Sequence, residues 1–294
     1  MLRRHRMRAL FLAAVVLGGC AGGTSTGSLE TTTPAGTREN IPIAVAKPDG
    51  PGPFPAVVIM HDCSGLGTTS SGAPGRWSRE LVTHGYVVII PDSFSTRGFP
   101  DGVCTSVARP GIDVSPGRRA HDAYAALTHA RALPYVDGKR VGIMGGSHGG
   151  SSTLAAMVAP DSEREPLARE RRAGFAAGVA LYPRCAARLG TWRGTGVYKP
   201  IAPLLILIGE KDDWTPAGDC QRLAEASRQA ALPVTIKVYP GAHHSFDSPN
   251  PIRYVATRIK PSTPSGRGAT TGGNAEAWSD SIRTVIAFFG EHLR

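Results

Sequence analysis

Ser147, a pair of aspartates at 212 and 213 and a pair of histidines at 243 and 244 each follow directly on an aliphatic run. The stretch RVGIMGGSHGGSSTLAAM, residues 140–157, carries five glycines around Ser147 and His148. Its first part reads as a buried strand and its last as a helix, so the glycines fall at a strand-to-helix turn. Gly145 to Gly149 fit G-x-S-x-G, in which small flanking residues let the chain turn sharply and expose a serine hydroxyl at the tip. A hydroxyl is a weak nucleophile until a base takes its proton, and a neutral imidazole suits that task near pH 7. The imidazole in turn needs an acceptor to fix its tautomer, which a carboxylate supplies. Asp212 or Asp213, in EKDDWTP, and His243 or His244, in PGAHHSFD, are the candidates.

Attack by Ser147 on a carbonyl creates an oxyanion, which needs backbone N–H donors. One donor is the residue after the nucleophile, His148, whose imidazole is assigned no role. The other is expected from HDCSGLG, which follows the run AVVIM (56–60) and makes Cys63 the candidate. The same glycines could instead cradle a phosphate, but no Lys-Ser or Lys-Thr pair follows them and no G-x-G-x-x-G can be laid over them. Taken singly, the aspartates could only cap the next helix and the histidines could be ordinary loop residues. Three matching residue types in the order Ser, Asp, His are a stronger observation than any one of them.

Holding these groups together requires a scaffold that delivers strand ends to one edge. From about residue 40 the chain alternates strand-like runs, at 41–47, 56–60, 86–90, 140–144, 176–182, 203–209 and 234–239, with helix-like stretches. Several runs are continuously aliphatic, as in strands buried on both faces of a parallel sheet. The alternation predicts an α/β fold, a doubly wound and mostly parallel sheet with helices on both faces, in which ligands bind beyond the carboxyl ends of the strands. The biased insert PSTPSGRGATTGGN (261–274) reads as a surface loop near that end of the sheet.

HDCSGLG, PDSFSTRG, GIMGGSHGG, GEKDDWTP and YPGAHHSFD, in that order, resemble the dienelactone hydrolase family of the α/β-hydrolase fold over roughly residues 40–294. The resemblance implies hydrolysis of carboxylic esters or lactones without a cofactor or metal. The family pattern G-x-x-D-x-x-x-P falls on Gly209, Asp212 and Pro216, and Y-x-G-x-x-H-x-F on Tyr239, Gly241, His244 and Phe246. It therefore selects Asp212 and His244 beside Ser147. Arg97 lies near the place where founding members hold a substrate carboxylate, and Trp214 is expected at the mouth of the site. Two departures stand out: the founding enzymes have cysteine where this chain has Ser147, and glutamate where it has Asp62. Ester hydrolysis survives these changes better than dienelactone as the substrate.

Four cysteines follow Cys20, an even number that permits two disulfides in three connectivities. On the implied fold, Cys185 with Cys220 and Cys63 with Cys104 follow neighbouring strands, and these are the expected pairs. The N-terminal end reads as an export signal: residues 1–19 join a basic head to a short apolar run, and LGGC resembles a lipobox ending on Cys20. Residues 20–39 are rich in Gly, Ser and Thr and read as a flexible tether before one domain at 40–294. The expected location is the cell envelope or periplasm, with the membrane met only through a lipid on Cys20. Of the formal charge of +10, four arginines lie in residues 1–19, leaving +6 on the remainder without a basic stripe. That balance gives weak support to acidic substrates and little to nucleic acid. The expected partner is a small ester or lactone. A serine peptidase of the same fold and a non-catalytic envelope binding protein are the rival readings.

Overall fold

The computed structural model of the protein describes residues 23–106, 109–162, 165, 167–189, 192–260 and 263–293. The aliphatic runs form β3 (Phe54–Met60), β4 (Val87–Pro91), β5 (Val136–Gly146), β6 (Gly178–Leu181), β7 (Leu204–Gly209) and β8 (Val234–Tyr239), all mutually parallel. Two antiparallel strands, β1 (Thr24–Thr32) and β2 (Arg38–Ala46), extend the sheet past β4, giving the order β1-β2-β4-β3-β5-β6-β7-β8. The order in which successive strands are added reverses between β3 and β5, so the ends of these two parallel central strands lie side by side. Val57, Val58, Ile143, Val179 and Ile206 have no exposed surface, which explains why the central strands are continuously apolar and do not alternate. Edge strand β8, VTIKVY, alternates polar with apolar residues.

The helices are α1 (Ala73–Thr83), α2 (Pro116–Ala132), α3 (His148–Met157), α4 (Ala168–Arg172), α5 (Ala217–Gln229) and α6 (Ala275–His292). Ser115 caps α2 by accepting from Arg118 N–H, and Asn274 caps α6 by accepting from Ala277 N–H. Trp77 of α1 meets Trp278 of α6 edge to face at 4.8 Å, while Tyr124 of α2 donates to the Ala156 carbonyl of α3 at 2.8 Å. The expected fold, an α/β-hydrolase sheet covered by helices, is the one observed.

Two expectations are corrected here. The Gly/Ser/Thr-rich segment expected to be a tether from 20 to 39 instead contains β1, whose Leu29 and Thr31 are buried against the sheet while its neighbours face solvent. Pairing with β2 satisfies its backbone, which composition alone cannot foresee. The insert at 261–274 is likewise more than a surface loop: its β10 (Arg267–Thr271) pairs antiparallel with β9 (Arg253–Ile259) in a separate hairpin. The signal region 1–19 and the lipidation candidate Cys20 lie outside the described residues.

Arg97 also departs from expectation. It is buried and donates to both carboxylate oxygens of Asp122, at 2.7 and 2.9 Å, and to Glu39 at 2.9 Å. Arg118 binds the same two acids, and Thr31 of β1 donates to Asp122 at 3.0 Å. The network fastens the antiparallel edge of the sheet to α2, so Arg97 is committed to the fold and does not face the candidate nucleophile. Burial by itself would raise the Asp122 pKa, but hydrogen bonds and charges from Arg97 and Arg118 outweigh it and hold the carboxyl below its usual range. A depressed carboxyl stabilises the fold above the unfolded-state pKa and loses that contribution as pH falls through the folded value. Asp122→Asn should therefore cost about 3–5 kcal/mol by denaturant titration at neutral pH, because it leaves two buried guanidinium groups to share the half-buried Glu39. The difference from the unmodified chain should shrink only in strong acid.

Candidate active site

Ser147 sits between β5 and α3 with φ 54° and ψ −115°, a strained conformation for a residue with a side chain. Its N–H donates to the Leu181 carbonyl at 2.9 Å, which pins the turn to the end of β6. The glycines allow close approach here: a Cβ on Gly149 would stand 1.9 Å from the Met60 carbonyl oxygen, and one on Gly145 would stand 2.5 Å from the Gly149 carbonyl carbon. The end of β3 is thereby packed against the first turn of α3.

The Ser147 hydroxyl lies 2.9 Å from His244 Nε2, and His244 Nδ1 lies 2.8 Å from Asp212 Oδ2. Asp212 also accepts from the Trp214 and Thr215 N–H groups at 2.9 and 2.8 Å and from the Thr215 hydroxyl at 2.9 Å. His244 is 1 % exposed and Ser147 9 %, so the relay is shielded yet open at the hydroxyl. The alternatives left by the residues alone are separated by the fold. Asp213 points away and accepts from the Thr270 N–H and hydroxyl of the hairpin, at 2.8 and 3.0 Å. His243 is not part of the relay, and its buried Nδ1 has no partner among the described residues.

The His244 ring is held on two sides, by Tyr182 and Trp214, each with ring centroids 4.7 Å away. Tyr182 donates to Asp247 Oδ1 at 2.8 Å and Trp77 donates to Oδ2 at 2.9 Å. Burial pushes the Asp247 carboxyl up in pKa against the pull of these two bonds. Trp214 donates to the Ile259 carbonyl at 2.8 Å and carries the Arg258 guanidinium 5.4 Å over its ring, which links the acid loop to the hairpin. Gly272 of the insert closes the arrangement by donating to the His244 carbonyl at 3.0 Å.

Above Ser147 opens a cavity of about 500 Å³, lined by Cys63, His148, Ser151, Arg184, Arg188 and Trp214 among others. Both candidate oxyanion donors thus border the same space as the nucleophile. The Cys63 loop is braced by Asp62, which accepts from the Ser64 N–H at 2.7 Å and from the hydroxyls of Ser64 and Ser71. Disulfides join Cys63 to Cys104 and Cys185 to Cys220, the two expected pairs. A hollow of about 740 Å³ beside Arg97, Glu39 and Arg118 is larger, but Ser147, Asp212 and His244 do not line it.

The dienelactone hydrolase family profile matches residues 41–293. The chain belongs to the dienelactone hydrolase family. It is 26 % identical over 216 residues to a Methylorubrum extorquens protein named as a carboxymethylenebutenolidase, covering 70 % of this chain and 68 % of that one. The solved structure of Thermogutta terrifontis esterase 2 phosphorylated by paraoxon has a TM-score of 0.60 at 17 % identity, over 86 % of this chain and 89 % of the other. A dienelactone hydrolase-like promiscuous phosphotriesterase from metagenomic libraries gives a TM-score of 0.61 at 19 % identity, over 93 % and 100 %. At these identities the two structures establish a shared fold.

Within this family frame, the motifs missed several cavity residues. Thr215, whose hydroxyl lies 3.1 Å from His244 Nδ1, belongs to the same DDWT turn as Asp212. Arg184 follows β6 as directly as the candidate Asp212 follows β7, so a reading of every strand end would have found it. Arg188 and Ile259 carry no such signal, because a long loop and the hairpin bring them in. Gly149→Ala should abolish most ester hydrolysis, with kcat reduced at least about 100-fold, since relieving the clash with Met60 must displace Ser147. Near-ultraviolet circular dichroism would show whether the rest of the fold persists.

Proposed function

We propose that the protein is a serine hydrolase that cleaves carboxylic esters or lactones through an acyl-enzyme. The observation that carries this reading is the continuous relay from Ser147 Oγ through His244 to Asp212, opening on a cavity. His244 Nε2 takes the proton as Ser147 Oγ attacks the carbonyl, and Asp212 stabilises the imidazolium that results. The N–H groups of Cys63 and His148 bind the oxyanion. Collapse expels the alcohol, which receives the proton from His244, and leaves Ser147 acylated. Water activated by the same imidazole then releases the acid.

The cavity favours an acidic substrate. Arg184 and Arg188 line it, whereas no carboxylate does so among the described residues. Both side chains are exposed to solvent, so each contributes modestly. An ester or lactone carrying a carboxylate on its acyl or alcohol portion meets these requirements. We propose further that the protein works in the cell envelope, held by lipid on Cys20. The signal-like residues 1–19 and the two disulfides, which persist in oxidising compartments, support that location.

In a p-nitrophenyl acyl ester assay, Ser147→Ala should remove turnover and labelling by a fluorophosphonate probe. Asp212→Asn should lower kcat by roughly 10⁴-fold with little change in KM. A folded wild type inert to esters, lactones and the probe would return the chain to the binding-protein reading. Arg184→Gln and Arg188→Gln should each raise KM about fivefold for an ester bearing a free carboxylate while leaving its methyl-capped counterpart unchanged. Metabolic labelling with an alkyne fatty acid in a bacterial host should tag the full chain, and Cys20→Ala should lose the tag.

A further inference from the structure

We propose that Arg119 is a positioning residue for the oxyanion hole, its guanidinium joining both arms of the hole and supplying a standing positive charge behind it. This rests on the serine-hydrolase reading. Arg119 lies on α2 and is 0 % exposed. A buried guanidinium ordinarily demands a carboxylate, and Arg118 next to it has two. Arg119 contacts none among the described residues. Its Nη1 donates to His148 Nδ1 at 2.8 Å, its Nη2 donates to the His61 carbonyl at 2.7 Å, and Phe94 presents its ring 4.8 Å away. Its Nε is buried and has no partner among the described residues.

The two acceptors lead to the two oxyanion donors. His148 is itself one of them, and His61 stands two residues before Cys63 at the end of β3. Because guanidinium only donates, His148 Nδ1 must accept, which places the ring proton on Nε2. Burial and the Arg119 charge both lower the His148 pKa, so this imidazole stays neutral and does not compete with His244 as a base. His61 is also kept neutral by burial and by Arg119, and it donates from Nδ1 to the Asp62 carbonyl while accepting the Ser93 N–H at Nε2. Burial draws the Arg119 pKa down to about 9, which leaves it charged at neutral pH, with Asp122, Asp62 and Asp92 favouring the charge from farther off and Arg97 opposing it. A cation buried without a contacting anion is poorly compensated until negative charge develops on the substrate oxygen nearby. Its interaction therefore strengthens in the transition state, the condition for raising kcat.

The test compares Arg119→Met and Arg119→Lys with wild type in the full chain, with kcat for p-nitrophenyl butyrate expressed per site titrated by a fluorophosphonate. A second readout is inhibition by an alkylboronic acid, whose adduct with Ser147 is tetrahedral and anionic. Arg119→Met should lower kcat about 10- to 100-fold and weaken the boronate by a similar factor, with KM within about twofold. Arg119→Lys should recover part of both losses. Unchanged kcat per titrated site, or a loss confined to KM, overturns the proposal. Should Arg119→Met fail to fold, Arg119→Lys decides, since a fall in kcat without a parallel fall in boronate affinity points to a merely structural role and overturns it too. A wild-type chain unreactive to the probe overturns the serine-hydrolase reading itself and this proposal with it, an outcome distinct from every comparison among active variants.

Discussion

The contact between the Met60 carbonyl and the backbone at Gly149 is the constraint on which the site depends. It allows the first turn of α3 to lie against the end of β3 and so brings two loops of distant sequence into one catalytic geometry. Ser147 is held at φ 54° because the chain has to turn within that space, and the bond from its N–H to Leu181 leaves it no slack. Strain of this kind persists only where the surroundings over-determine it. Here the parallel strands β3, β5 and β6 do so from three sides.

From that point the structure works outward in layers. His244 is fixed by a carboxylate on one nitrogen, by rings on both sides and by Gly272 on its carbonyl. Around it Asp247, Tyr182 and Trp77 are buried with their polar atoms paired to one another, and half-buried Trp214 is tied to the hairpin through the Ile259 carbonyl. The two disulfides serve the same end at the rim, since Cys63 borders the cavity and Cys185 closes the loop that carries Arg184. Charge is distributed with equal economy. Arg97 and Arg118 are satisfied by Asp122 and Glu39, whereas buried Arg119 donates to His148 and to the His61 carbonyl and touches no carboxylate among the described residues.

Much of this was legible in the residues. The buried strands announced themselves as unbroken aliphatic runs because burial on both faces removes any reason to alternate. Ser147 and the pairs Asp212/Asp213 and His243/His244 were legible because parallel α/β sheets place ligands at strand ends, and the family pattern then chose Asp212 and His244. Arg97, which the family resemblance suggested, misled because its side chain turns back to a carboxylate on α2. The polar composition of residues 24–32 concealed β1, whose stability comes from pairing with β2 and from the burial of Leu29 and Thr31, not from intrinsic preference.

What the sequence by itself determined is what local pattern and order carry: the parallel sheet, the sharp turn at Ser147, the pairs that hold the candidate acid and base, between which the family resemblance chose, and the even complement of cysteines. Tertiary structure alone decided which charged groups face the cavity, that the β9–β10 hairpin brings Ile259 to its lining, and that Arg119 lies between His61 and His148. The physical reason is range. Backbone turns and hydrophobic burial leave a periodic signature over neighbouring residues, whereas a side chain's partner depends on contacts between segments as distant as His61 and Arg119, and no local pattern records those.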